Sequence, residues 1–316
     1  MEKGLKYVFG PVPSRRLGRS LGVNPIPFKT CNYSCVYCQL GKAINFTNTR
    51  REFFPPGEIA EEIIAICRRK EKKIDYVTFV GEGEPTLYSS LAKILDTVRK
   101  ECKLPFALIT NGALFYYKEV REDVLLFDVI LSKIDAPSER VFKRINRPHR
   151  GIVFDRVIEG LLLLRKEFSG QLWIETMLVK GLNDDEVSLK GIKKILDRIN
   201  PDRRFVSIPT RPPAENWVKI PEPDVLFSAF KMLNAEPIYT VEYGEFDIEG
   251  FDSVEDAILS IIRRHPIRMD EIKDILGKSG VSMDAREFLK RLVDSKKVKL
   301  REFMGNTYIL PYSARI

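Results

Sequence analysis

Apolar residues recur along this chain at two alternating spacings. From Gly57 to Lys70 they fall at helical intervals, with Ile59, Ile63, Ile66 and Cys67 on one face. From Ser89 to Glu101 the stripe is Leu91, Leu95 and Val98, continued by Cys102. Between the two lies Ile74 to Val80, an apolar run with the length of a buried strand. Further strands are predicted at residues 20–24, Pro105 to Thr110, Phe127 to Lys133, Leu172 to Val179 and Arg204 to Ile208. Helices are predicted near 115–123, 138–145, 153–168 and 184–199, the last with Ile192, Ile195, Leu196 and Ile199 inward. Repeated strand–helix units imply an α/β fold with a parallel sheet and right-handed crossovers, six units counting the strand at 20–24.

Both ends break this rhythm. The Gly/Pro spacing of residues 1–27 reads as turns leading into the first strand. Pro-rich residues 209–223 and Pro237 end the repeat, with one helix between them near 223–234. From Ser253, which can cap a helix, the pattern becomes three short helices. The first packs Ala257, Ile258, Ile261 and Ile262; the second, near 268–276, packs Ile272, Ile275 and Leu276. The third, after Ser282, packs Phe288, Leu289, Leu292 and Val293. Val298 to Phe303 and Asn306 to Leu310 then pair across Met304-Gly305 as a hairpin. The expected organisation is a core at 1–240, an acidic linker at 241–252 and a small unit at 253–316.

At 316 residues, 44% apolar and 30% charged, the chain has the make-up of a soluble globular protein with room for one large domain and a small one. No run approaches the roughly 18 apolar residues of a membrane span, and Met1-Glu2-Lys3-Gly4 begins no signal core. A cytoplasmic protein with no membrane partner is therefore expected. The net charge of +8 permits an anionic partner but is also ordinary for solubility. It is unevenly spread: from residue 253 onward there are thirteen Lys/Arg against nine Asp/Glu, a net +4 in 64 residues.

The chemistry concentrates in one short stretch. Cys31, Cys35 and Cys38, three of the five cysteines, follow a C-x3-C-x2-C spacing on one loop. Thiolates so close can turn to a common centre, and soft sulfur favours iron–sulfur clusters, zinc or copper(I). An odd number on one loop cannot all pair as disulfides. Structural zinc takes four ligands, yet no fourth Cys or His is near, and the histidines are only His149 and His265. His149 reads as an exposed-loop residue and His265 as a helix-end residue; no Gly-x-Ser-x-Gly elbow occurs either. Cys67 and Cys102, on helical stripes, read as small core hydrophobes.

The cysteine spacing, with aromatic Tyr37 just before the third Cys, resembles the signature of the radical S-adenosylmethionine (radical SAM) superfamily. The resemblance implies a partial (β/α)6 barrel and a [4Fe-4S] cluster held by Cys31, Cys35 and Cys38. Its open iron would chelate SAM, which is cleaved reductively to a 5′-deoxyadenosyl radical that abstracts hydrogen from a substrate. An electron donor such as ferredoxin or flavodoxin is implied with it. The opening Gly10-Pro11-Val12-Pro13-Ser14-Arg15-Arg16-Leu17-Gly18 resembles iron–sulfur oxidoreductases related to the tRNA wyosine-base (4-demethylwyosine) synthases. Those carry extra N-terminal cysteines, whereas no Cys precedes Cys31 here.

Ligands of parallel α/β sheets gather beyond the carboxyl ends of the strands. The second strand ends in Gly81-Glu82-Gly83-Glu84-Pro85-Thr86, acidic and glycine-rich, suited to an ammonium group rather than phosphate. By resemblance Gly83, Glu84 and Pro85 bind the SAM amino group, with Tyr37 in the same cofactor site; Asn111, in the polar turn that ends the third strand, either contacts the cofactor or caps the next helix. The resemblance also places Ser132 and Asp135 on the SAM ribose and carboxylate, and Ser207 to Pro213 beside the adenine. Glu175, a lone carboxylate in an apolar strand, needs a partner. Either it pairs with an Arg or Lys, or it points into the barrel at SAM or substrate; the second is expected. Arg15, Arg16 and Lys133 are candidates for a substrate anion.

Three helices and a hairpin resemble a winged helix-turn-helix domain, with Arg286, Lys290, Arg291, Lys296, Lys297, Lys299 and Arg301 as candidate phosphate contacts. The leading expectation is a radical SAM enzyme acting on RNA, tRNA included. The alternatives are radical modification of a peptide or protein, and a non-catalytic iron–sulfur redox sensor that binds DNA.

Overall fold

The computed structural model describes residues 5–238, 251, 253–264, 266–279 and 284–314. The chain opens with an antiparallel pair, β1 (Val8–Ser14) and β2 (Gly18–Val23), where the sequence suggested turns and a single strand. In the cysteine loop, β3 (Thr30–Cys31) pairs in parallel with β4 (Asn45–Phe46). The repeat then runs α1 (Pro56–Lys70), β5 (Tyr76–Phe79), α2 (Leu91–Val98), β6 (Phe106–Ile109), α3 (Lys118–Val124), β7 (Val129–Lys133), α4 (Glu139–Ile145) and α5 (Phe154–Glu167). It continues with β8 (Gln171–Met177), α6 (Glu186–Ile199), β9 (Arg203–Ser207), α7 (Pro223–Leu233) and β10 (Glu236–Ile238).

These strands form one sheet in the order β1-β2-β5-β6-β7-β8-β9-β10, parallel throughout except for β1. The sheet curls as a half-barrel. The six expected strands are β2 and β5–β9; β1 and β10 add one strand at each edge. Both carry proline, which edge strands accommodate because one side of their ladder is unpaired.

Local chemistry sets the helix limits. Pro56 occupies the first turn of α1, where a missing N–H costs nothing, and Arg68, Arg69 and Lys70 close it against the helix dipole. Asp185 caps α6 by accepting from the Ser188 N–H (2.9 Å), and Asn200 ends it in the left-handed region at φ 50°.

Side chains alternate across the strands, so the sheet has two faces. The outer face packs Phe79, Phe106, Leu108 and Ile130 against the helices. The inner face carries a separate apolar floor of Leu17, Ala107, Leu131, Trp173, Phe205 and Ile238. Leu17 comes from the β1–β2 turn, which therefore tucks beneath the half-barrel.

The C-terminal unit comprises α8 (Val254–Arg264), β11 (Ile267–Arg268), α9 (Met269–Lys278), α10 (Ala285–Asp294), β12 (Val298–Phe303) and β13 (Asn306–Pro311). Its strands form an antiparallel sheet ordered β11-β13-β12 over a core of its own that includes Ile258, Ile262, Ile272, Phe288, Leu292 and Ile309. The short strand β11 was not anticipated. Most of the 241–252 linker, His265 and Ser282 lie outside the described residues. The unit meets the core after β9: Tyr308 donates to the Thr210 carbonyl (2.9 Å), Arg211 to that of Pro266 (3.0 Å) and Arg301 to that of Pro213 (3.2 Å). Among the described residues no helix is long and apolar enough to cross a membrane.

Candidate active site

Beyond β2 the chain enters the cysteine loop through Lys29, held at φ 55°. Its N–H donates to the Glu82 carbonyl (2.6 Å), and its own carbonyl accepts from Ile44 (3.1 Å) and Asn45 (3.2 Å). The far side of the loop is tied to the end of α4, where Val36 N–H donates to Ile145 (2.9 Å) and Ser34 N–H to Asn146 (3.1 Å). Cys31, Cys35 and Cys38 are free thiols and partly exposed. Each sulfur has its own N–H donor: the Tyr33 backbone on Cys31 (3.4 Å), the Asn146 amide on Cys35 (3.6 Å) and the Lys29 ammonium on Cys38 (3.2 Å).

Burial pushes the Cys31 and Cys35 thiols up, Cys35 to about 12, so bare thiolates are disfavoured there without cationic compensation. Among the described residues no three His, Cys, Asp or Glu side chains converge to hold a single metal ion. Three separate sulfurs with separate N–H donors fit a polynuclear iron–sulfur centre, in which different iron atoms take the thiolates.

The acidic turn after β5 lies against this loop. A Cβ on Gly83 would stand 1.8 Å from the Thr30 carbonyl oxygen, so only glycine fits, and the next N–H, that of Glu84, donates to that same oxygen (3.0 Å). Thr30 immediately precedes Cys31, so turn and cysteines share one hydrogen bond. The buried Glu84 carboxylate accepts from Thr86 N–H (3.0 Å), Thr86 Oγ1 (2.7 Å), Thr110 Oγ1 (2.5 Å) and Asn111 N–H (2.7 Å). Burial raises its pKa against the pull of these donors. Glu84 thus ties the turn after β5 to the turn after β6. Pro85 opens the single helical turn that follows. Asn111 reaches back to the cysteine loop through Asn32 (2.7 Å).

Tyr37 is almost fully buried, and its hydroxyl donates to Asp135 in a short hydrogen bond. Asp135 also accepts from the Asn146 amide (2.7 Å) and Met177 N–H (2.8 Å), joining the cysteine loop to the ends of β7 and β8. Burial and the Asp135 charge hold the Tyr37 phenol well above its ordinary pKa, so it stays a donor. Ser132 is fully buried on the opposite strand face, its hydroxyl beside Gly112 and without a hydrogen-bond partner among the described residues. Alternation thus keeps it out of the half-barrel interior.

Above the apolar floor lies a charged layer. Lys133 and Glu175 are register partners on β7 and β8, and both point inward with Ser207 of β9. Glu175 accepts from Lys133 (3.1 Å) and Ser207 (2.7 Å) and makes a short ion pair with Arg16 from the β1–β2 turn. Burial works to raise the Glu175 carboxyl, but Arg16 and Lys133 outweigh it and hold it well below the carboxylate range. Glu175 is therefore paired, as the first alternative has it, on the inner face of the sheet. Arg16 and Lys133 join one cluster with it, Arg15 sits beside Arg16 in the turn, and the Lys133 ammonium lies 5.4 Å from the Tyr37 ring centre.

Lys29, Asn32 and Asn146 were not singled out as site residues in the sequence, and Ser207, expected beside the adenine, donates to Glu175. Lys29 adjoins the cysteine stretch, a usable signal; Asn146 carried none, because its place depends on how α4 returns to the loop.

A family profile described as the radical SAM superfamily matches residues 26–189, which include the cysteine loop and β5–β8. A UPF0026 protein of Methanocaldococcus jannaschii is 38% identical over 97% of this chain and 96% of its own length. A probable dual-specificity RNA methyltransferase of Endomicrobium trichonymphae is 27% identical over 61% of this chain and 56% of that protein. Among solved structures, a radical SAM methyltransferase from Sphaerobacter thermophilus shares the fold at TM-score 0.52 and 15% identity, over 70% of this chain and 67% of that one.

Proposed function

The chain belongs to the radical SAM superfamily, and we propose that it is an enzyme using a [4Fe-4S] cluster on Cys31, Cys35 and Cys38 to cleave SAM reductively. When bound, cluster and SAM together would supply a 5′-deoxyadenosyl radical for hydrogen abstraction. The chain's own residues bind and orient. The observation carrying this reading is the shared Thr30 carbonyl, which fixes the Gly83-Glu84-Pro85 turn beside Cys31 at 3.0 Å. Carbonyls of that turn suit the SAM ammonium, while Tyr37, Asp135 and Asn111 hold the neighbouring loops in place. The reductant is an external one-electron donor of the ferredoxin or flavodoxin class. Anaerobic reconstitution followed by electron paramagnetic resonance tests the site: the reduced cluster's signal changes when SAM is added, and a signal indifferent to SAM contradicts the proposal.

For the substrate, the reading favoured is RNA, tRNA included. The likeness to a probable RNA methyltransferase supports it, as does the order of the C-terminal unit: helix, strand, two helices, two strands, as in winged helix-turn-helix domains. The candidate phosphate contacts are fewer than the sequence suggests. Arg291 and Lys297 pair with Glu255, Arg301 binds Asn216 and the Pro213 carbonyl, and Lys299 binds the Ala314 carbonyl. Exposed Arg286, Lys290 and Lys296 remain the candidates. Comparing modified nucleosides in RNA from cells with and without the gene tests the reading; identical profiles favour a peptide or protein substrate.

A further inference from the structure

Lys29 is an unusual lysine. It is 2% exposed, and among the described residues no carboxylate pairs with its ammonium. Its contact is the Cys38 sulfur at 3.2 Å, and the other two cysteines of the loop, Cys31 and Cys35, lie close by. The backbone aims it there: φ is 55°, the N–H is bound to Glu82, and the carbonyl accepts from two residues of the returning loop. A buried ammonium is costly without a compensating charge. Three neutral thiols offer little compensation, but an iron–sulfur centre on three thiolates is net negative and becomes one unit more so on reduction.

We propose that Lys29 is the built-in counter-charge of the centre held by Cys31, Cys35 and Cys38, and that its ammonium raises the centre's reduction potential. This rests on the cluster reading above. Hydrogen bonds to cluster sulfurs and nearby charge are established levers on such potentials. A charged N–H donor at 3.2 Å supplies both at once. Because it favours the more negative state, the Lys29 charge eases electron entry. The Asn146 and Tyr33 donors supply hydrogen bonds but no charge.

The test is a redox titration of the anaerobically reconstituted full chain, followed by electron paramagnetic resonance, for wild type, Lys29→Met and Lys29→Arg. Iron, sulfide and circular dichroism are measured alongside. Lys29→Met removes the charge at similar volume. It is expected to weaken the reduction equilibrium about tenfold, a midpoint about 59 mV more negative for a one-electron couple. Lys29→Arg keeps the charge and should stay within about threefold of wild type. A folded Lys29→Met chain that fails to retain iron while Lys29→Arg retains it also supports the role. A loaded Lys29→Met chain with the wild-type midpoint overturns it, as does Lys29→Arg losing the cluster along with Lys29→Met. A wild-type chain that takes up no iron–sulfur cluster is a separate result, overturning the cluster reading and this inference with it.

Discussion

Arg264, the last residue of α8, brings its guanidinium within 3.2 Å of the Glu82 carboxylate in the turn after β5, and both side chains are nearly buried. The same guanidinium lies 4.7 Å from the centre of the Phe9 ring. Because the Glu82 carbonyl holds Lys29, one residue joins the C-terminal unit, the glycine turn and the cysteine loop. Removing one partner of a buried pair strands the other charge, at a cost of about 3–5 kcal/mol, whereas replacing both is far milder. Arg264→Met alone is expected to lower the urea midpoint strongly, and Glu82→Gln added to it to restore most of the loss. Additive single losses would show that the two residues act independently.

The Arg16–Glu175–Lys133 cluster has a signed pH dependence. The Glu175 carboxyl is depressed in the folded chain, so its stabilisation is complete above the unfolded carboxylate pKa of about 4.3 and fades only as pH falls below that. The stability difference between wild type and Glu175→Gln, measured by urea melts, should be constant from about pH 8 to 5 and shrink below about pH 4. A difference already shrinking at pH 6 would contradict the pairing.

Cys67 of α1 and Cys102, beyond α2, place their sulfurs 2.7 Å apart in the outer core, although the sequence suggested only two separate small hydrophobes. A thiol oxidant such as diamide should therefore join residues 67 and 102 within one chain, detected by peptide mapping with differential alkylation. Both thiols remaining free while the protein stays folded would contradict the juxtaposition.

Gly83 and Gly57 predict opposite outcomes for the same substitution. An added methyl at Gly83 meets the Thr30 carbonyl at 1.8 Å, whereas at Gly57, in the first turn of α1, nothing lies within 4 Å. Gly83→Ala should displace the turn from the cysteine loop, lower the melting temperature and reduce iron retention. Gly57→Ala should be neutral or stabilising by up to about 1 kcal/mol. Equal behaviour of the two variants would remove the argument for close approach.

Elements with a strong local pattern were legible in the sequence. The helices α1 and α6 carry clean stripes, the strands β5–β9 are short apolar runs, the cysteines are marked by their spacing, and the Gly83-Glu84-Pro85 turn by its acidic, glycine-rich composition at a strand end and by family resemblance. What escaped was set by contacts distant in sequence. In β1, Gly10, Pro11 and Pro13 read as turns, and Pro237 hid β10, because pattern alone does not show that a segment lies at a sheet edge, where proline is tolerated. Glu175 announced a need for a partner, but Arg16 lies 159 residues away. The burial of Lys29 follows from the fold of the loop around it, which no periodicity encodes. Basic residues of the C-terminal unit were countable in the sequence, but which of them are engaged internally was not.

Reductive SAM cleavage at the three-cysteine loop is tested directly by one measurement. Anaerobically reconstituted chain is reduced with dithionite, incubated with SAM, and assayed chromatographically for 5′-deoxyadenosine, beside a Cys35→Ala control. Wild type is predicted to release the nucleoside and Cys35→Ala to release none. A loaded, reducible wild-type cluster that releases no more than Cys35→Ala would contradict the account.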